Sequence, residues 1–100
     1  MNFLSEKQIE QKLVAEVRRR GGMALKFVSP SYSGMPDRLI LLPDGKVAFV
    51  EVKAPGKKPR SLQVKRHATL RKLGFQVFVL DAARDIPVIL KEVMEGDDAG

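Results

Sequence analysis

The sequence contains no cysteine and a single histidine, His67. The first absence excludes disulfides and thiolate metal sites. The second means that any metal must be held mainly by oxygen, which points to magnesium or manganese rather than zinc. Nowhere does an apolar run approach the ~20 residues that a membrane span requires. The stretch from Met1 to Lys7 also lacks the basic start and apolar run of a secretory leader. The expectation is a soluble, cytoplasmic domain without membrane association.

What is present fits one domain. With 100 residues, 44% of them hydrophobic, the chain can bury one core but not two. We assign residues 1–95 to this domain and expect the acidic, glycine-containing end, residues 96–100, to be a disordered tail. Lys and Arg number 18 against 12 Asp and Glu, a formal charge of +6. Such a surplus favours a polyanionic partner through phosphate neutralisation and counterion release, although an ordinary basic domain would share it.

Ser5 to Arg20 reads as a helix. Ser5 and Gln8 have capping-box spacing, Ile9, Leu13 and Val17 recur on one face, and Gly21-Gly22 supplies a stop. Met23 to Val28 reads as a short strand, and the proline and small residues from Ser29 to Gly34 mark a loop leading to Met35-Pro36-Asp37. Arg38 to Leu42 and Lys46 to Val52 are strand-like runs around Pro43-Asp44-Gly45, a three-residue hairpin turn with Gly45 left-handed. That register places Leu42 opposite Lys46 and, counting back, Asp37 opposite Glu51. After the basic loop Lys53 to Arg60, Ser61 is expected to cap a helix reaching about Leu73, ended by Gly74. Phe75 to Leu80 reads as a buried strand parallel to the Lys46 to Val52 strand, and Pro87 as the start of a short last helix. The resulting class is α/β: a central mixed β-sheet flanked by helices, in the order αβββαβ plus a short C-terminal helix.

Along the strand from Lys46, the odd positions Val47, Phe49, Glu51 and Lys53 share one face. Charge buried there costs several kcal/mol per ion, in the usual order of magnitude, unless partners or a metal compensate. A cross-strand ion pair of Glu51 with Lys53 or Arg38 would be the plain solution. With Asp37 across the hairpin, however, two carboxylates on adjacent strand ends form an oxygen site suited to a hard divalent cation. Such a site can activate water at a phosphate, and a neighbouring lysine can orient that water or neutralise the transition state.

Met35-Pro36-Asp37 followed by Glu51-Val52-Lys53, in this order of elements, resembles the PD-(D/E)xK nuclease superfamily over about residues 5–81. Within it, Gly34-Met35-Pro36-Asp37, Glu51-Val52-Lys53-Ala54-Pro55, Gln63 and Gly74-Phe75 are most similar to stand-alone VRR-NUC domains, often phage-encoded. The resemblance implies a restriction-endonuclease-like core with metal on Asp37, Glu51 and the Val52 carbonyl, and Lys53 as the catalytic lysine. It also implies a glutamate from the first helix, matched by Glu10 with Glu6 and Glu16 as competitors, and a site glutamine, Gln63. Glu10 lies between Val14 and Val17 on the helical wheel, and Glu6 in the first turn suits the helix N-terminus.

Lys57, Lys58, Arg60, Lys65 and Arg66 cluster after the motif and are candidate contacts to DNA phosphates, though a charge run is often merely solvated. His67 is a candidate base, with a structural or exposed helix histidine as the alternative, and Tyr32 or Phe27 could stack on a nucleobase if not used for packing. The expectation is magnesium- or manganese-dependent hydrolysis of DNA, on branched substrates such as the Holliday junctions implied by the resemblance, by a homodimer. The alternatives are a non-catalytic DNA-binding module on the same fold and a protein-interaction domain with ion-paired strand ends.

Overall fold

The computed structural model describes residues 3–96. The first helix, α1, spans Glu6–Arg19. Its start is the capping box read from the sequence: Gln8 N donates to Ser5 Oγ at 3.1 Å and Ser5 N to Gln8 Oε1 at 2.8 Å. Ile9, Leu13 and Val17, one turn apart, are fully buried.

Strand β1 (Met23–Lys26) pairs antiparallel with β2 (Arg38–Leu42), and β2 with β3 (Lys46–Val52). The hairpin register is the one expected, with Leu42 opposite Lys46. Its turn, Pro43–Gly45, is a single 3-10 turn with two left-handed residues, Asp44 (φ 64°) and Gly45 (φ 73°). Only Gly45 was expected there; the short aspartate side chain tolerates this region where a branched one would not.

Helix α2 spans Ser61–Lys72 and leads to β4 (Gln76–Leu80), which lies parallel to β3. Ser61 does not cap α2. The cap position is Arg60, whose amide donates to Gln63 Oε1 at 2.8 Å, so a side chain from inside the first turn satisfies the helix start. The sheet is mixed, in the order β1-β2-β3-β4, with β3 internal as its two apolar faces require. Among the described residues β4 pairs on one side only, and it is less buried than its composition suggested: Phe75 precedes the strand, and Phe75 and Val79 are both exposed. Helix α3 spans Ile86–Glu95, with Pro87 in its first turn rather than at its first position. Gly96 caps it and accepts from Lys46 Nζ at 3.0 Å. The rest of the expected tail, residues 97–100, lies outside the described residues.

The alternation of strand residues divides the core in two. Even positions of β3 (Ala48, Val50, Val52) join Ile40, Leu42 and Leu80 beneath α1 and α3 in the larger cluster. The other face holds Phe49 and Val77 against Leu70 of α2, with Phe27, Met35 and Leu39 at its margin. Phe27 and Phe75 each meet Phe49 edge to face, at 5.6 and 5.7 Å between centroids. Phe27 is therefore a packing residue. Burial of each large aliphatic side chain contributes roughly 1.5–3 kcal/mol. The helices thus clamp the sheet on both sides and hold the β2 and β3 ends in fixed relation.

Candidate active site

The hairpin register, extended by one and two residues beyond Arg38 opposite Val50, sets Asp37 against Glu51 and Pro36 against Val52. The Val52 amide donates not to a backbone carbonyl but to Asp37 Oδ1, at 3.1 Å. In a strand, the N–H and C=O of one residue point to the same side. The Val52 carbonyl therefore also faces the Pro36-Asp37 segment, where proline has no amide hydrogen to give it. Asp37 is anchored from behind, its own carbonyl accepting from Phe27 N at 2.8 Å. Lys53, the residue after β3, donates its amide to Leu80 O at 2.8 Å, which keeps the strand end paired with β4.

Glu51 is only 3% exposed. A buried carboxylate is tolerated when polar partners surround it, and α2 places two polar side chains against Glu51 from one face. Gln63 Nε2 donates to Glu51 Oε2 at 3.1 Å, and His67 Nε2 stands 3.4 Å from Glu51 Oε1. Lys53 Nζ lies 3.8 Å from Glu51 Oε2. Gln63 therefore has two tasks, capping α2 through its oxygen and holding Glu51 through its nitrogen. The place of His67, itself 2% exposed, was not read from the sequence. The available signal was spacing: Gln63, His67 and Leu70 fall at i, i+4 and i+7, one buried helix face.

Burial pushes the Asp37 carboxyl up to about 6; the Val52 amide opposes this, and the charges of Glu51 and Glu10 add to it. Burial also raises Glu51, with Lys53 and Arg60 opposing and Glu6 adding. His67 is held down by burial and by the nearby cations Arg71 and Lys53. Two carboxyls that resist ionisation side by side form a site that a cation would stabilise. Both donate oxygen, and the Val52 carbonyl faces the same place, so the donor chemistry fits magnesium or manganese. Among the described residues, no group of three His, Asp or Glu side chains is placed to hold a metal by itself. Backbone oxygen and solvent would have to complete such a shell.

Glu10 pairs with Arg38. Its Oε2 accepts from Arg38 Nε at 2.9 Å, and Arg38 Nη1 donates to Ala24 O at 3.0 Å. Glu10 and Arg38 border a hollow between α1 and β2, and Glu10 acts on Asp37 through its charge rather than by contact. Glu6 stands in the corresponding relation to Glu51. Glu16 is paired with Arg19 and Arg20, which hold its carboxyl down at about 2. Lys57, Lys58 and Arg60 are exposed on the loop after β3, and Lys65 is exposed on α2. Arg66 is partly buried and already occupied: Nε donates to Ser33 O at 2.7 Å and Nη1 to Tyr32 Oη at 3.2 Å.

Known proteins resemble this chain in sequence and in fold. The family model for the VRR-NUC domain matches residues 2–84. A protein called "Putative nuclease p44", from Acyrthosiphon pisum secondary endosymbiont phage 1, is 54% identical over 93% of this chain and 99% of its own length. A solved structure described as a VRR_NUC domain superposes with a TM-score of 0.80 at 30% identity, covering 86% of this chain and 94% of that one. A second, described as a VRR_NUC domain protein, gives a TM-score of 0.72 at 19% identity over 97% and 93%, a likeness of fold. The acidic strand ends, the lysine beside them and these matches lead to one conclusion: the chain belongs to the VRR-NUC family.

Proposed function

We propose that this nuclease domain is a magnesium- or manganese-dependent DNA endonuclease whose catalytic residues are Asp37, Glu51 and Lys53. The observation that carries the reading is the juxtaposition of two carboxyls raised by burial with a lysine 3.8 Å from one of them. Asp37, Glu51 and the Val52 carbonyl would hold the ion. A bound divalent ion supplies Lewis acidity toward the scissile phosphate and lowers the pKa of coordinated water. The Lys53 ammonium neutralises charge that develops on the phosphate oxygens. Gln63 keeps Glu51 oriented, and Glu10 adds negative potential near Asp37 while fixing Arg38. Lys57, Lys58, Arg60 and Lys65 contact phosphates without reading bases, as their exposure suits.

Branched DNA, including Holliday junctions, is the proposed substrate class, and a homodimer the proposed active form. An isologous dimer presents two sites related by a two-fold axis, the symmetry of paired strands. In support, Met23 and Leu25 on β1 remain exposed opposite Leu41 and Leu39, an apolar strip at the sheet edge that a second copy could cover.

The test uses labelled four-way junction, flap, single-stranded and duplex DNA with magnesium, manganese or EDTA. Lys53→Ala and Glu51→Ala should each lower cleavage by about 100-fold or more, the scale of losing one transition-state contact. Retention of cleavage by both variants would remove the reading. Binding without cleavage under every metal would favour the non-catalytic DNA-binding module instead.

A further inference from the structure

The loop between β1 and β2 carries an aromatic ring that the fold leaves partly uncovered. Tyr32 is 46% exposed, whereas Phe27 at the start of the same loop is packed against Phe49. The Arg66 guanidinium lies over the Tyr32 ring, 3.8 Å from its centroid, so a cation backs one face. Arg66 also grips the loop backbone at Ser33 O, and Tyr32 N closes a turn on Ser29 O at 3.2 Å.

Gly34 completes the docking. Its φ is +88°, and a Cβ there would stand 2.8 Å from Leu62 Cγ and 3.2 Å from Arg66 Cγ. The loop thus lies against the first turns of α2 without space for a side chain. The ring is held in place before any ligand arrives, which removes most of the ordering cost of using it. Three residues further on is Asp37. A five-residue span from Tyr32 to Asp37 reaches at most about 18 Å. That is about five base steps at 3.4 Å each along a strand.

We propose that Tyr32, backed by Arg66, is a stacking platform for an unpaired nucleobase of the DNA substrate, within a few nucleotides of the scissile phosphate. The inference rests on the nuclease reading and refines its substrate class. Inside a duplex both faces of a base are already stacked, so only an unpaired or splayed base can offer a face to the ring. The platform therefore favours flaps, junction centres and single strands over intact duplex. Because Arg66 spends Nε and Nη1 on the loop, it acts here by fixing the ring rather than by clamping a phosphate. Exposed Lys65, one position away on α2, remains for the backbone.

The test uses the full chain and a flapped DNA with 2-aminopurine at each of the first five unpaired positions in turn, read by fluorescence in EDTA. A stacked base should be quenched at one or two positions by the wild type and by Tyr32→Phe, but not by Tyr32→Ala. An abasic site at the quenched position should weaken wild-type binding by about 5- to 150-fold, the range of one lost aromatic stack, and leave Tyr32→Ala unaffected. Equal quenching by Tyr32→Ala would overturn the proposal. So would a wild type that binds and cleaves the flap without position-dependent quenching, and in that case the nuclease reading stands. Failure of the wild type to bind or cleave any DNA would remove both. Should Tyr32→Ala melt early, the abasic substitution still interrogates the wild type, and no loss of affinity there overturns the proposal.

Discussion

At Glu51, burial opposes ionisation while the surrounding donors and Lys53 favour it, and Asp37 faces a similar conflict with fewer donors. A carboxyl whose pKa is raised in the folded protein stabilises the fold fully below its unfolded value, near 3.9. That contribution is lost as the pH rises through about 6. In EDTA at pH 7.5, Asp37→Asn should therefore be more stable than the wild type, on the order of 1 kcal/mol after discounting for solvent screening. The asparagine keeps an oxygen for the Val52 amide. The gain should shrink toward pH 4, where wild-type Asp37 is protonated, and urea denaturation at the two pH values checks this. By the same logic magnesium or manganese should raise the wild-type melting temperature more at pH 7.5 than at pH 5. Asp37→Asn should show little of that increase, and an equal increase in the variant would place the metal elsewhere.

At the scale of elements, the site depends on how a loop and a helix are seated. The β1–β2 loop delivers Pro36-Asp37 only because Gly34 passes close to Leu62 and Arg66 in a left-handed conformation. Gly34→Ala should cost about 1–3 kcal/mol from backbone strain and displacement of Leu62. It should lower cleavage further than global instability explains, since Asp37 would shift with the loop. Guanidinium denaturation beside single-turnover cleavage separates the two effects. Unchanged stability would contradict the geometry. Helix α2 is tied to the chemistry by Gln63, which links its N-terminus to Glu51. Gln63→Leu should both loosen the first turn of α2 and leave Glu51 short of a donor, a loss of about 1–3 kcal/mol. Ser61 did not foretell this, because a side chain inside the helix took over the cap.

At the scale of the whole molecule, the +6 charge should make DNA binding sensitive to salt. If Lys57, Lys58, Arg60 and Lys65 each neutralise one phosphate of duplex DNA, the slope of log K against log salt should be about −3.6 per protomer. Their combined replacement by alanine should flatten it almost completely while preserving the fold, as fluorescence anisotropy across a salt series would record. For the proposed homodimer, light scattering at micromolar concentration should give a mass near twice 11.1 kDa. Met23→Lys with Leu25→Lys should reduce it to one copy. A monomeric wild type would leave the exposed strip on β1 without that occupant.

The sequence by itself determined the element order, the hairpin register and the meeting of Asp37 with Glu51. These follow from local rules: helical spacing in α1, alternation in β2 and β3, and a short turn that admits few geometries. It also carried the family likeness, because Pro36-Asp37 and Glu51-Val52-Lys53 are contiguous motifs. Only the tertiary structure decided what touches those motifs from distant segments. The burial of His67 against Glu51, the commitment of Glu10 to Arg38, the seating of Arg66 on Tyr32 and the exposed flank of β4 all depend on how helices lie across a sheet. Periodicity names the face of a helix that is buried, but the rotation and height at which it docks are set by side chains packing together from separate segments. Those few ångströms decide whether a polar group meets a carboxylate, another cation or solvent.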